Sequence, residues 1–193
     1  QQKVAFNGVL SNEGDKLEVN FSKFNLNALE VVLKPLGIRL DGELNGDIEL
    51  HSAFKKPYLS ANVQTSPLVY NQIPIGQLRL LADFDPETKQ ANLDLQLLDD
   101  LNKGLKLNGT YQIAAADQEL NLKGSLNQME LILFQPFVRN LTSQLQGRMN
   151  AEIQIGGTLK NPEFNAISKI EYASFNVNYL KTSYNISNQT VLL

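Results

Sequence analysis

His51 is the only histidine of the chain, and an imidazole can act as a general base or as a metal ligand. It directly follows the alternating stretch "ELNGDIEL", so it lies at the end of a predicted strand. In a second copy of this stretch the corresponding residue is Gly156. We therefore interpret His51 as a solvated strand-end residue, and a single histidine excludes a histidine-cluster metal site.

Two groups of carboxylates have the types needed for acid–base catalysis or calcium binding. Asp99 and Asp100 are adjacent, and "ADFDPE" contains Asp83, Asp85 and Glu87. Neither group has the alternate-residue spacing and glycine of a calcium loop. Both fall where turns are predicted, so we interpret them as turn residues in contact with water.

The stretch "IGGTLKNP" (155–162) is rich in glycine, as phosphate-binding loops are. It lacks the spacing of a P-loop and no helix start follows it. Gly156 and Gly157 are better explained as a turn or bulge between strands. No serine has a nucleophile-elbow context, and one histidine does not supply a catalytic triad. The sequence predicts no enzyme, no metal and no cofactor.

Composition narrows the class of protein further. A chain of 193 residues suits one domain or one slice of a larger array. Its net charge of −3, with both signs interleaved, lacks the basic patch of a nucleic-acid surface. The absence of cysteine excludes disulfides and thiolate metal sites. No run approaches the ~20 apolar residues that span a bilayer, and a first residue already in a strand-like pattern predicts a fragment of a longer protein.

A period of two dominates the hydrophobic pattern and predicts a β protein. Eight stretches show it: VAFNGVL (4–10), KLEVNFS (16–22), ELNGDIEL (43–50), QLRLLADF (77–84), NLDLQL (92–97), LKLNGTYQI (105–113), LNLKGSL (120–126) and MNAEIQI (149–155). Two stretches, 27–37 and 127–138, instead place apolar residues three and four apart and end around a proline. This spacing fits short helices, although a strand is also compatible with their length.

The chain also contains an internal repeat. Residues 41–61 align with residues 146–166 at a constant offset of 105, as from Gly42 to Gly147. The identical pairs are Asn45 with Asn150, Ile48 with Ile153, Lys55 with Lys160, Pro57 with Pro162 and Ala61 with Ala166. The helical stretches align at an offset of 100 (Leu26 with Leu126), which predicts five extra residues in the second copy, within "VRNLTSQL". We expect residues 1–193 to form a single segment with similar units at about 24–84 and 124–193.

The apolar stripe along the strands has two interpretations that periodicity does not separate. A second sheet can seal it, as in a closed β-sandwich. Alternatively, it can line an open groove that a ligand covers, where each buried CH₂ of an acyl chain contributes about 0.8 kcal/mol.

The repeated segment resembles the TamB-like family, which is related to AsmA-like proteins. The pattern is Leu-x-Gly-x-Leu/Met-x-x-x-Ile-x-Leu/Ile, followed by a small-residue turn, Lys-x-Pro and another strand. The second copy, "LQGRMNAEIQIGGTLKNPEFNA" (145–166), is the closer match; the first copy has His51-Ser52-Ala53 where the second has Gly156-Gly157-Thr158. The resemblance covers residues 24–193.

The resemblance implies an elongated, curled antiparallel or mixed β-sheet, a β-taco or groove with one or two short helices, from the C-terminal region of such a protein. It implies a non-enzymatic component of the periplasm and cell envelope, anchored in the inner membrane through a region outside this chain. The implied partners are acyl chains of phospholipid and a TamA-type outer-membrane barrel, and the implied roles are phospholipid passage and outer-membrane protein assembly. The alternative is a closed β-sandwich that acts as a spacer or protein-interaction module without lipid.

On this interpretation the functional residues are the inward-facing rows, with Gly42 and Gly147 easing a close approach or a bulge. The predicted groove residues are Leu44, Ile48, Leu50, Leu78, Leu80, Phe84, Leu93, Leu95, Leu97, Leu105, Leu107, Tyr111, Ile113, Met149, Ile153 and Ile155.

Overall fold

The stretches in which apolar and polar residues alternate form β-strands along most of the chain. The computed structural model describes residues 2–9, 16–51, 58–85, 87–112, 119–158 and 161–192. The strands are β1 (Lys3–Val9), β2 (Lys16–Asn25), β3 (Leu40–Asp41), β4 (Glu43–His51), β5 (Tyr58–Thr65), β6 (Leu68–Tyr70), β7 (Ile73–Asp85), β8 (Gln90–Leu98), β9 (Gly104–Gln112), β10 (Leu120–Glu130), β11 (Thr142–Gly157), β12 (Pro162–Val177) and β13 (Thr182–Leu192).

These strands form one 13-stranded sheet in which all described pairs are antiparallel. The order is β1-β2-β4-β5-β7-β8-β9-β10-β11-β12-β13, with β3 and β6 paired beside it. The outermost strands, β1 and β13, do not pair with each other, so the sheet is open. The predicted mainly β fold with an open sheet is confirmed, and the closed sandwich is not the structure that forms.

The described residues of all eight stretches with period two lie in strands; Leu10 and Ile113, at the ends of two of them, are outside the described residues. Strands β5, β12 and β13 were not individually predicted, because serine, alanine and asparagine weaken their alternation. The Lys-x-Pro turn of the first copy and its counterpart Lys160 lie outside the described residues.

Two helical segments interrupt the strands, as the apolar spacing indicated. In the first, 26–36, the 3₁₀ turns Leu26–Leu29 and Lys34–Leu36 flank α1 (Glu30–Leu33). In the second, 131–138, the 3₁₀ turn Leu131–Phe134 precedes α2 (Gln135–Val138).

The predicted second helix was wrong over residues 127–130, which belong to β10. The alignment at an offset of 100 was wrong for the same reason. Leu26 and Leu131, the first residues of the two helical segments, are 105 residues apart, as are Glu30 and Gln135. The helical segments thus share the offset of the strands, and the five extra residues are not needed. The end of β10 and the turn that follows it are both rich in leucine. An alignment shifted by five residues therefore still matches apolar residues with apolar residues.

Strand pairing repeats at the same offset. Ile48 pairs with Ala61 in the first copy, and Ile153 pairs with Ala166 in the second. A β-bulge before each helical segment repeats as well, and its central residue, Lys23 or Gln128, has a positive φ. The two copies are therefore equivalent in hydrogen bonding as well as in sequence, although the unit limits 24–84 and 124–193 stay a prediction.

A side-chain amide holds each of these bulges. Asn45 Oδ1 accepts a hydrogen bond from the Lys23 backbone N–H at 2.8 Å, and Asn150 Oδ1 accepts one from Gln128 N–H at 2.8 Å. A bulge leaves one backbone donor outside the strand ladder. The two asparagines satisfy that donor, which explains why they are identical in the two copies.

Gly42 and Gly147 are positions of close approach, as predicted. Their φ angles are +146° and +125°, which favour glycine. A Cβ atom on Gly147 would lie 2.1 Å from the Tyr172 carbonyl oxygen, and one on Gly42 would lie 2.7 Å from Leu68 Cδ2. A side chain at Gly147 would push the backbone of β12 away, whereas one at Gly42 would displace the Leu68 side chain.

The core is thin and consists mainly of small or medium side chains. Among the described residues no large side chain is completely buried. The main cluster combines Leu126, Met129 and Ala151 with the partly buried Leu133 and Phe134 of the second helical segment. The helical segment thus covers one end of the sheet, and no other part of the described chain forms a second layer on the rest of that face.

Candidate functional site: the apolar face of the sheet

Strand register brings the predicted groove residues onto one face, here called the apolar face. Residues directly opposite each other in a ladder point to the same side of the sheet. The central row runs Val63, Leu80, Leu95, Leu107, Gly124 and Ile153. Four of the five pairings in this row, from Leu80 to Ile153, join predicted residues with each other or with Gly124.

The neighbouring rows contain the other predicted residues that the structure describes. One runs Ile48, Ala61, Ala82, Leu93, Gly109, Leu122 and Ile155. A second runs Leu78, Leu97, Leu105, Leu126 and Ala151, and a third runs Phe84, Ala91, Tyr111 and Leu120. Leu44, Leu50 and Met149 follow the same alternation along β4 and β11. Ile113 lies outside the described residues. That these residues line a ligand groove stays a prediction.

The two faces of the sheet differ in exposure. On β8, Leu93 and Leu95 are half-buried, whereas Asn92 and Asp94 are exposed. Strand β11 repeats the contrast between its isoleucines and its polar residues. No second layer in the described part of the chain covers the middle of the apolar face, so the difference must come from the sheet itself. Side chains converge on the inner side of a curved sheet and diverge on the outer side, which indicates that the sheet curls around its apolar face.

The predicted groove residues left out several deeply buried residues of this face. Ala61, Ala82 and Ala91 are 5%, 6% and 3% exposed, and Leu122 and Leu126 are 9% exposed. They occupy apolar-face positions between the predicted leucines and isoleucines. Small residues at inward positions could have indicated this burial from the sequence, because the inner side of a curved sheet leaves less room for side chains where the curvature is strongest.

The second helical segment closes one end of the apolar face. A cavity of about 400 Å³ lies there, bounded by Ile75, Leu97, Met129 and Leu133. Tyr70 donates a hydrogen bond from its hydroxyl to the Leu133 carbonyl oxygen at 3.0 Å, which ties β6 to this segment. The apolar face therefore continues into an apolar recess beneath the helical segment.

Charged side chains line the mouth of the recess. Lys103 and Arg148 lie at its edge together with Glu130. Arg148 Nε donates to Glu130 Oε1 at 2.8 Å, and this carboxylate raises the pKa of Arg148. Tyr111 lies on the apolar face itself, and burial raises the pKa of its phenol. Both observations agree with a face that is apolar inside and polar at its rim.

The other face of the sheet has a separate hollow of about 630 Å³. Lys106, Glu152 and Lys169 are among its lining residues. Lys106 and Glu152 alternate with the apolar-face residues of their strands, so the hollow lies on the polar side. Leu98 and Ile167 also line it, so its lining mixes apolar and charged side chains.

The residues that first suggested chemistry have structural roles. Asp99 Oδ1 accepts hydrogen bonds from the backbone N–H groups of Leu101 and Lys103 at 2.9 and 2.8 Å. Asp85 accepts from the Thr88 hydroxyl at 2.8 Å, a bond that lowers the pKa of Asp85. Both carboxylates organise turns, as predicted.

His51 is the last residue of β4, as predicted, but it is half-buried rather than fully solvated. Its Nε2 lies 3.2 Å from Glu49 Oε2. Within the described ranges, no three histidine, aspartate or glutamate side chains come close enough to hold a metal ion.

The helices of the described residues are single turns of four residues or chains of such turns. None of them has the length and hydrophobicity that crossing a membrane requires.

An open antiparallel sheet with one apolar, uncovered face and one polar face defines a groove-type β protein. The chain matches the family model described as TamB, N-terminal domain, over residues 4–165. Because this match spans more than half of the chain, the protein belongs to the TamB family. The comparisons with curated proteins and with solved structures found no match.

The family match confirms the resemblance and corrects one detail of it. The sequence pattern placed the chain in the C-terminal region of a TamB-like protein, whereas the matching domain is the N-terminal one. The strand pattern already recurs within this chain at an offset of 105, so a local pattern identifies the family better than the position within it.

Proposed function

We propose that the protein is a non-enzymatic component of the bacterial cell envelope whose apolar face carries the acyl chains of phospholipids between the inner and outer membranes. The observation that carries the proposal is the continuous, half-buried apolar face, in register across the sheet and uncovered by a second layer in the described residues. A soluble protein rarely exposes a contiguous apolar patch of this kind without a ligand or partner.

The free energy available on this face is sufficient for lipid binding. Transfer of each CH₂ from water contributes about 0.8 kcal/mol, so ten buried methylenes contribute about 8 kcal/mol before the cost of immobilising the chain. The leucine and isoleucine rows supply apolar contacts without polar groups, so they favour acyl chains without selecting one. A chain bound in this way can slide along the rows because neighbouring positions are chemically similar.

Membership of the TamB family supports the location and the partners that belong to this proposal. We place the protein in the periplasm, tied to the inner membrane through a region outside the present chain. A TamA-type outer-membrane barrel is the proposed partner, and support of outer-membrane protein assembly is a second role compatible with it.

The test compares neighbouring residues on opposite faces. Ile153→Arg and Leu95→Arg place a charge on the apolar face, and we expect each to reduce uptake of a fluorescent acyl probe at least tenfold. The matched controls, Gln154→Arg and Asn121→Arg, place the same charge on exposed positions of the other face and should leave uptake unchanged.

Native mass spectrometry of the purified wild-type chain provides the second measurement, with lipid extraction to identify any bound species. Circular dichroism checks that the variants keep their sheet. Equal loss in the two pairs of variants, or a wild-type chain that neither carries lipid nor takes up the probe, would refute the groove.

A further inference from the structure

We infer that the hydroxyl of Ser168 donates a hydrogen bond to the ester carbonyl of an acyl chain that lies on the apolar face. The inference rests on the proposed function and adds a polar contact that the leucine and isoleucine rows do not provide. It narrows the class of ligand to lipids whose chains are attached through esters, and it makes Ser168 a specificity-determining residue.

Ser168 lies on the apolar face, near the middle of β12. It pairs with Ala151 of β11, which in turn pairs with Leu126 of β10, so the three side chains point to the same side of the sheet. Its partner on the other neighbouring strand is Val191 of β13. The hydroxyl is therefore flanked by apolar side chains on both neighbouring strands.

The Ser168 side chain is buried without a hydrogen-bond partner. The residue is 3% exposed, and its Oγ makes no hydrogen bond to any of the described residues. A hydroxyl buried in this way gives up its hydrogen bonds to water, and folding does not replace them. Since buried polar groups in proteins are normally paired, the unpaired hydroxyl points to a partner outside the folded chain.

Two other hydroxyls show how unusual this arrangement is within the described residues. Thr65 is also buried, at 8% exposed, but its Oγ1 accepts a hydrogen bond from the Leu78 backbone N–H at 3.0 Å. Thr142 Oγ1 lacks a partner as well, but Thr142 is only half-buried and lies at the start of β11, away from the central rows. Among the described residues, Ser168 alone combines deep burial, an unpaired hydroxyl and a central position on the apolar face.

The internal repeat shows that the fold does not require a hydroxyl at this position. Gly46 pairs with Val63 in the first copy, and Ala151 pairs with Ser168 in the second, so the offset of 105 relates Val63 to Ser168. Val63 is 4% exposed and thus as deeply buried as Ser168. The first copy packs the same place with an apolar side chain, so the hydroxyl of the second copy is not needed for strand packing.

The surroundings of Ser168 select an uncharged acceptor. A hydroxyl can donate one hydrogen bond, whereas a phosphate or carboxylate beside Ala151 and Val191 would lose its hydration without a cation to replace it. The adjacent Lys169 alternates to the other face of β12. An ester carbonyl is uncharged and ends the acyl chain, so it can reach the hydroxyl while the methylenes cover the neighbouring apolar rows.

Access to the hydroxyl requires a neighbouring side chain to move, because Oγ itself is covered. Val191 is half-buried and belongs to the outermost strand, so it can move aside with little loss of packing. Rotation of such a side chain is fast compared with the binding of a lipid. The carbonyl of the incoming chain then takes the place beside Ser168 that Val191 covers.

Competition between ester and ether lipids tests the inference on the whole chain. Two phosphatidylcholines of equal chain length, one ester-linked and one ether-linked, are titrated against the bound fluorescent acyl probe; the ether lipid lacks the carbonyl. We expect the wild type to bind the ester lipid about three- to tenfold more tightly, the value of one hydrogen bond. Ser168→Ala should abolish this preference by weakening binding of the ester lipid alone. Ser168→Thr keeps a hydroxyl and should retain the preference.

Thermal unfolding adds a measurement that separates ligand binding from a structural role. Because Ser168→Ala removes an unpaired hydroxyl, it should raise the unfolding midpoint by about 2–4 °C while it abolishes the ester preference. A lower midpoint would show that the hydroxyl has a partner within the folded chain, which would overturn the inference.

Ser125→Ala is the matched control. Ser125 pairs with Lys106 and Glu152, which lie on the other face of the sheet, so the same chemical change there should alter neither the midpoint nor the ester preference. Loss of the preference in Ser125→Ala would remove the assignment to Ser168.

The titration also separates this inference from the proposed function. If the wild type takes up the probe but binds the two lipids equally, or if Ser168→Ala keeps the preference, the Ser168 contact is refuted while acyl-chain binding stands. If the wild type takes up no probe, acyl-chain carriage is refuted, and the Ser168 contact with it. Ile153→Arg should weaken binding of the ester and ether lipids alike, because Ile153 contacts methylenes that both lipids share.

Discussion

Asn45 and Asn150 illustrate how a residue without catalytic chemistry can be required in both copies of a repeat. Each holds the N–H of a bulge residue that has a positive φ. Without that acceptor, the bulge would leave a backbone donor with water as its only partner. The bulge redirects the chain from the strand into the helical segment, so the asparagine positions the element that closes the end of the apolar face.

The asparagine contribution is measurable in the first copy. We expect Asn45→Ala to lower the free energy of unfolding by about 1–2 kcal/mol, because the Lys23 N–H loses its partner. Asn45→Asp keeps an oxygen acceptor and should recover most of that loss. Denaturant unfolding of the two variants measures the difference. Asn62→Ala, at an exposed position of the neighbouring strand, is the control and should change stability by less than about 0.5 kcal/mol. A loss in Asn62→Ala equal to that in Asn45→Ala would contradict the bulge-holding role.

The strands that could be predicted from the sequence are those in which apolar and polar residues alternate strongly. Strand β8 was predicted because each of its leucines alternates with a polar residue. Strand β5 was not, since its inward positions include Ala61 and its outward ones include Ser60, a contrast too weak to read. The helical segments were recognised by their apolar spacing, but the boundary at Leu131 was missed. A bulge at Gln128 shifts the inward parity just before that residue, and no periodic rule anticipates such a shift.

The helical segments anchor themselves through their first residues. Leu131 is 8% exposed and its neighbour Ile132 is 39% exposed. We expect Leu131→Ala to lower the free energy of unfolding by about 2 kcal/mol, the lower end for a buried leucine, because the surrounding core is thin enough to relax. Ile132→Ala should cost less than about 1 kcal/mol. Thermal or denaturant unfolding distinguishes these values.

Leu26→Ala provides an independent check in the other copy, because Leu26 starts the first helical segment and is 6% exposed. The equivalence of the copies predicts a loss similar to that of Leu131→Ala. A negligible effect of both leucine variants would mean that the helical segments are held by their hydrogen bonds to neighbouring strands alone.

For the whole molecule, the sequence left the choice between an open groove and a closed sandwich undecided, since both require one dry face on each strand. The strand order of the structure, in which the two outermost strands stay unpaired with each other, decides for the open sheet. That order depends on pairing between residues far apart in the sequence. Val63 must pair with Leu80 and Gly124 with Ile153, and neither pairing can be recognised from the local alternation of apolar and polar residues. Two sheets that sealed each other would bury the leucines completely, whereas here they stay half-buried.

The open sheet should be visible in solution. A compact chain of 193 residues has a radius of gyration of about 16 Å. We expect small-angle scattering to give a clearly larger value, with a distance distribution skewed to long distances, because eleven consecutive strands at about 4.8 Å spacing give the sheet a width of roughly 48 Å measured along its curve. Measurement over a dilution series separates the shape of the monomer from association. On the proposed function acyl chains would occupy the inside of the curl, so saturation with lipid should leave the radius nearly unchanged. A radius near 16 Å with a symmetric distance distribution would mean that the apolar face closes on itself in solution, which would remove the surface on which lipid carriage depends.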